Sequence, residues 1–266
     1  MTFVPEDSRE RHMAKSISLI IPAYNEATRI VPTLESYLSV LEAKMMPYEV
    51  LVIIDGTDNT EEVVNELGLR NVYGIKFPCK LGRGGAILEG FRRARYDIVG
   101  FADADGSVPA KDFSKLLDQC IEGEEVVVAS RRLDPSVVVV PERPFRRVIG
   151  TIWHSIVRAM TGIQVRDVQC GLKVFSRPAV TIVVRRVTIT NRTIDVGMLY
   201  HLSNAGYSIK EVPVKYIHDF RTRMPITKAI PVMFLTLVGM VVVNILFQSR
   251  SPPRFLEVLN HRLGSV

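Results

Sequence analysis

Short apolar runs alternate with stretches whose apolar residues recur at helical spacing, and this alternation limits the folds open to the chain. Residues 17–22 are a continuous apolar run that suits a buried strand, and Ile30, Leu34, Leu38 and Leu41 then repeat every three or four residues. The rhythm continues with strands expected at 49–54, 72–77 and 97–102, helices at 60–67 and 87–94, then a helix at 111–121 and a strand at 125–129. A strand-helix alternation of this kind predicts an α/β domain, with a mostly parallel sheet covered by helices on both faces.

After Arg131 the rhythm changes. Pro135, Pro141 and Pro144 surround the 137–140 valine run, a proline density that predicts an exposed loop. A helix is expected over 146–160 and a late strand over 209–216, near a sheet edge because Pro213 has no amide to donate. Residues 230–247 are the most apolar stretch; their 18 residues sit at the lower bound for a membrane span, which needs roughly 17 to 25. Basic residues flank both ends, so orientation is not readable, and a buried helix is the alternative to membrane contact.

With 266 residues the chain has room for one large domain plus a short segment, because single cores stop growing near ~250 residues. The expected division is a leader at 1–16, a domain at 17–222 and an apolar C-terminal segment at 223–266. Three widely spaced cysteines, Cys79, Cys120 and Cys170, match neither a disulfide framework nor a paired-ligand zinc site. A reducing compartment follows, and no apolar run resembling a secretory signal stands before residue 17. The net charge of +6 favours anionic partners, which nucleic acid, nucleotide and acidic lipid all satisfy.

Candidate chemistry gathers at the expected strand ends. Asp103-Ala104-Asp105 follows the 98–102 strand, where open parallel sheets bind ligands, and a divalent cation bridging a diphosphate needs such hard oxygen ligands. Alone, the pair reads equally as turn formers or caps. Pro22-Ala23-Tyr24-Asn25-Glu26 and Asp55-Gly56-Thr57-Asp58 end two other strands, which brings three polar clusters to one rim, although Asn25 and Asp58 also suit capping. Leu81-Gly82-Arg83-Gly84-Gly85-Ala86 opens a helix whose amides, with Arg83, would face a phosphate. The run lacks the Lys-Ser/Thr ending of a P-loop and does not follow the first strand as a dinucleotide fingerprint does.

Taken in order, 20–26, 55–58, 82–85 and 103–106 resemble the motifs of family 2 inverting glycosyltransferases with a GT-A fold. The segment Asp167-Val168-Gln169-Cys170-Gly171-Leu172-Lys173-Val174-Phe175 resembles one shared by dolichyl-phosphate glucose and dolichyl-phosphate mannose synthases. The resemblance spans about residues 17–216 and departs at Ile54 and Gly197, where relatives carry an aspartate and a glutamate. It implies that Pro22, Ala23, Tyr24, Glu26, Asp55, Arg83, Asp103 and Ala104 bind the donor, UDP-glucose ahead of GDP-mannose. It further implies that Asp103 and Asp105 hold Mg2+ or Mn2+, that Gln169 lies near the sugar and that Arg131 meets the acceptor phosphate.

The implied acceptor, a polyprenyl or dolichyl phosphate, is ionised near neutral pH and attacks without a base, so its need is positioning. Arginine's planar fork suits phosphate, which adds Arg143, Arg146 and Arg147 to Arg131 as acceptor-phosphate candidates; a lipid-surface basic cluster is the alternative for those three. Asp195 is the reserve base for a hydroxyl acceptor, or else a helix-start aspartate. Expected catalytic residues are thus Asp105, Arg131, Asp195 and Gln169. The expected setting is a membrane-associated enzyme with its catalytic domain on the cytoplasmic side, without nucleic-acid partners and with oligomerisation left open. Competing readings are transfer to a soluble sugar or glycan hydroxyl, a sugar nucleotidyltransferase and a non-enzymatic membrane adaptor.

Overall fold

A computed structural model describes residues 15–134, 138–140, 144–217 and 226–246. The first half alternates as expected: β1 (Ile17–Ala23), α1 (Ile30–Ala43), β2 (Tyr48–Ile54), α2 (Thr60–Glu66), β3 (Val72–Lys76), α3 (Gly82–Arg93), β4 (Ile98–Ala102), α4 (Ala110–Glu122) and β5 (Val126–Ser130). Then come β6 (Val138–Val140), α5 (Pro144–Thr161), β7 (Leu172–Ser176), α6 (Arg177–Arg186), α7 (Ile194–Asn204), β8 (Lys210–Pro213), β9 (Tyr216–Ile217) and α8 (Ile226–Leu246).

Seven strands form one sheet in the order β3-β2-β1-β4-β7-β5-β8. All neighbours are parallel except β7, which runs antiparallel to both β4 and β5. Because β7 is reversed, the start of β7 shares a rim with the C-terminal ends of β1, β2, β4 and β5, as the Ala102↔Leu172 pairing requires. β8 lies at the sheet edge, where Pro213 is tolerated. The order reverses between β1 and β4, and ligands bind open α/β sheets at such a crevice.

Both faces of the sheet are covered, which explains the continuous apolar runs. In β1, Ile20 packs with Ile87, Phe91 and Phe101 on one face, while Leu19 and Ile21 pack with Leu34, Leu38 and Leu41 on the other. Gly90 lets α3 close on β1, since a Cβ there would meet Ile20 Cγ2 at 2.3 Å. At roughly 25 cal/mol per Å2 of apolar surface, the two faces supply the main driving force for the fold.

Two local expectations change. The helix expected at 87–94 begins five residues earlier at Gly82, so the glycine run that opens it forms its first turn. Within the segment expected as a loop, Val138–Val140 forms a short strand parallel to β9, as β-branched residues favour. The apolar C-terminal stretch forms α8, with Pro231 inside it, and Met233, Leu237 and Met240 packed into the core. Among the described residues no helix is long and apolar enough to cross a membrane. The boundary expected at 222–223 and residues 1–14 lie outside the described residues.

Candidate active site

The loops on the shared rim are cross-tied by their own polar groups. Asn25, at φ 58°, turns its Oδ1 to accept the amides of Thr57 (2.7 Å) and Asp58 (3.2 Å). Asp58 Oδ2 accepts the Ala27 amide at 3.1 Å, and Thr60 Oγ accepts the Glu26 amide at 3.0 Å. Asn25 and Asp58 thus tie two loops together rather than serve as the helix N-caps expected of them, positions that Arg29 takes for α1 and Asn59 for α2. Glu26 pairs with Arg29, yet burial still raises its carboxyl above the ordinary value. Tyr24 leaves its ring half exposed at the end of β1, with Lys80 Nζ 5.1 Å from the ring centroid, a platform for a flat ligand.

Asp55 is buried and its Oδ2 accepts the amides of Leu81 (2.8 Å) and Gly82 (2.9 Å). The Gly84 and Gly85 amides are both given to the Thr190 carbonyl, at 2.7 and 3.1 Å. These contacts correct the phosphate cradle expected from the glycine run, because four of its amides already have acceptors. Gly84 is instead required by packing: a Cβ there would lie 2.7 Å from the Ile189 carbonyl oxygen. What the run does present to the site is the side chain of Arg83.

Arg83 Nε donates to Asp103 Oδ1 at 2.9 Å and its Nη1 to Asp195 Oδ2 at 2.6 Å. Asp103 keeps its side chain 36% exposed, so it can still take a ligand. Burial and the neighbouring Asp105 raise the Asp103 carboxyl, against the lowering pull of Arg83. In Asp105, Oδ1 accepts the Ser107 amide at 3.0 Å, which fixes the carboxylate beside Asp103. Thr33 anchors the turn between them by donating to the Ala104 carbonyl at 2.9 Å.

Two crowded hard-oxygen ligands suit a divalent cation, whose charge would relieve their repulsion. Among the described residues no cage of three His, Cys, Asp or Glu side chains forms, so remaining ligands to such an ion would come from substrate or water.

Asp195, expected as a reserve base, sits elsewhere in the chemistry. It is 2% exposed; Oδ1 accepts from Lys173 Nζ at 2.6 Å and Oδ2 from Arg83. Burial alone would raise its carboxyl, but the charges of Arg83 and Lys173 hold it below the ordinary range. A buried, doubly paired carboxylate is a poor proton acceptor, and Asp195 anchors Arg83 instead. Gln169, partly exposed beside this network, donates to the Arg192 carbonyl at 3.3 Å.

Arg131 is also differently engaged from the expected phosphate fork. Its Nε and Nη2 donate to the two oxygens of buried Asp167 at 2.6 and 2.9 Å, and its guanidinium lies 4.9 Å from the Tyr216 ring centroid. The bidentate edge is thus used within the protein, and Asp167 is held well below the usual carboxylate range. The buried Cys170 thiol, pushed up to about 12 by burial, feels the charges of Asp167, Arg131, Lys173 and Asp103. Arg143 lies outside the described residues, as do the side chains of Arg146 and Arg147 in the first turn of α5.

Sequence reasoning missed Lys173, which is fully buried in β7 with Nζ donating to the Cys170 carbonyl at 2.7 Å and to Asp195. The available signal was a lysine inside the apolar run 172–175, which a buried strand accepts only when the charge is paired.

A dolichyl-phosphate beta-glucosyltransferase of Trichomonas vaginalis is 26% identical over 223 residues, covering 79% of this chain and 66% of the relative. The Homo sapiens dolichyl-phosphate beta-glucosyltransferase is 28% identical over 218 residues, covering 76% and 67%. The chain thus spans about two thirds of the length of these relatives. Among solved structures, glucosyl-3-phosphoglycerate synthase from Mycobacterium tuberculosis with uridine diphosphate superposes with a TM-score of 0.65 at 19% identity, covering 85% of this chain and 80% of that one. That likeness establishes the GT-A fold. Residues 18–182, more than half of the chain, match the Glycosyl transferase family 2 domain, and the chain belongs to that family.

Proposed function

We propose that the protein transfers glucose from UDP-glucose to a polyprenyl phosphate of the dolichyl type, with inversion and with a divalent cation. The observation that carries this reading is the Asp103–Asp105 pair, set on the rim at the reversal of strand order and tied to Arg83. Donor and acceptor are supported by the names of the relatives, and solved GT-A neighbours hold uridine diphosphate with Mn2+ or Mg2+.

Asp103 and Asp105 would hold the cation, which when bound neutralises charge on the departing diphosphate. Arg83 adds a fixed positive charge on the same side, and Tyr24 offers its exposed ring to the base. Glu26, Asp55, Pro22 and Ala23 shape the donor end of the rim, and Gln169 borders the sugar. Arg131, whose charge Asp167 neutralises, holds the rim on the acceptor side rather than offering a free fork to the acceptor phosphate.

Transfer to a hydroxyl is the second reading, and it needs a base. Asp195, with both oxygens occupied, does not serve as one, which favours an acceptor already ionised at neutral pH.

Membrane association is supported by the apolar residues left exposed on two helices: Val148 and Ile152 on α5, and Phe234, Leu235, Val242 and Leu246 on α8. Apolar faces of this kind mark a binding surface, and a helix lying in the bilayer interface fits better than a span. The three cysteines are free, which suits a catalytic domain facing a reducing compartment.

The test supplies radiolabelled UDP-glucose or GDP-mannose with a membrane lipid extract and Mg2+ or Mn2+. Label from UDP-glucose should enter an organic-extractable lipid. Label entering only water-soluble glycans would replace the acceptor, and label from GDP-mannose alone would replace the donor.

A further inference from the structure

Four charged side chains form a continuous chain from the sheet interior to the site rim. Lys173 stands at the middle of the sheet, opposite Phe101 of β4 and Val128 of β5, with no solvent exposure. Its Nζ meets Asp195 Oδ1 at 2.6 Å, Asp195 Oδ2 meets Arg83 Nη1 at 2.6 Å, and Arg83 Nε meets Asp103 Oδ1 at 2.9 Å. Phe101 carries both cations, with Lys173 Nζ 5.3 Å and the Arg83 guanidinium 5.4 Å from its centroid. Along this chain two cations balance two carboxylates, and Asp103 at its end is the only one of the four with substantial exposure.

The order of charges has a consequence for Arg83. Asp195 divides its charge between two cations, so its hold on Arg83 is weaker than that of a carboxylate with a single partner. Without Lys173, a buried Asp195 would be left with Arg83 alone and would draw the guanidinium inward, away from Asp103 and the rim.

We propose that Lys173 is a positioning residue for the donor diphosphate: by occupying one oxygen of Asp195 it keeps Arg83 shared with Asp103 and directed at the diphosphate subsite. The proposal rests on the reading that Arg83 and Asp103 line that subsite. It distinguishes Lys173 from a merely structural counter-ion, because only the part of the ligand that Arg83 meets should respond to its loss.

The test measures UDP and uridine binding to the full chain by calorimetry in Mn2+. Lys173→Met should weaken UDP binding on the order of tenfold and change uridine binding by less than about twofold, since one charge-assisted contact separates the two ligands. The charge-balanced double variant Lys173→Met/Asp195→Asn should bind UDP at least as tightly as the wild type, because an amide holds Arg83 less firmly than a carboxylate. The double variant decides the matter should the single variant fail to fold.

Equal losses of UDP and uridine in the single variant overturn the proposal, as does unchanged UDP binding. A folded double variant that binds uridine normally but UDP tenfold more weakly also overturns it. A wild-type protein that binds neither ligand would instead sink the nucleotide-sugar reading itself.

Discussion

A Cβ built on Gly171 would lie 2.0 Å from Asp103 Oδ2, while the Gly171 carbonyl accepts the Asp103 amide at 3.0 Å. The start of β7 and the end of β4 are thus pressed together at the carboxylate proposed as a metal ligand. Gly171→Ala should displace the Asp103 side chain and lower kcat/KM by about a hundredfold, the usual scale for a 1 Å misplacement. Steady-state kinetics beside Mn2+ titration checks this; normal metal-dependent turnover would mean that Asp103 is not a ligand.

Asp105→Asn keeps the size of the side chain and the Oδ1 that accepts the Ser107 amide, but loses the charge. Transfer should fall below detection while the thermal midpoint stays within a few degrees of the wild type. Retained turnover would remove this carboxylate from the metal site.

The Arg131–Asp167 pair makes a stability prediction with a definite pH sign. Asp167 is depressed in the folded state, so the pair stabilises the fold above the unfolded carboxylate value of about 4 and loses that contribution as pH falls below it. Arg131→Ala leaves a fully buried carboxylate without its main partner and should cost about 3 kcal/mol at pH 7. In the variant the sign reverses: burial now favours the neutral acid, so lowering pH from 7 to 5 should recover stability. Urea melts across that range test the sign. A variant as stable as the wild type would leave Arg131 a purely acceptor-facing role.

The exposed face of α8 predicts a separation of membrane binding from folding. Truncation ahead of the helix is a poor test, because Met233, Leu237 and Met240 belong to the core and Asn191 donates to Thr236 at 2.8 Å. Phe234→Glu/Leu235→Glu changes only exposed positions, at 42% and 58% exposure. The variant should keep nucleotide binding and its melting midpoint while partitioning less onto lipid vesicles and using long-chain acceptors poorly. Undiminished vesicle binding would assign the membrane surface elsewhere.

Local chemistry made the architecture legible. Continuous apolar strands, helical spacing in 30–41 and polar clusters at strand ends are written in neighbouring residues, and they led to the α/β sheet, its rim and the Asp103–Asp105 pair. The roles of individual charges were settled only by tertiary structure. Arg83 and Asp195 are 112 positions apart and Lys15 reaches Cys120 across 105; no local pattern encodes such partners. The glycine run promised a phosphate cradle because a helix start has free amides, yet Asp55 and the Thr190 carbonyl occupy four of them. Asp195 looked available for proton transfer until burial and two cations used both its oxygens. Sequence by itself determines which groups are present and near which strand end; only the packed fold decides which charges neutralise one another and which remain for a ligand, because that depends on burial and on distances of a few ångströms.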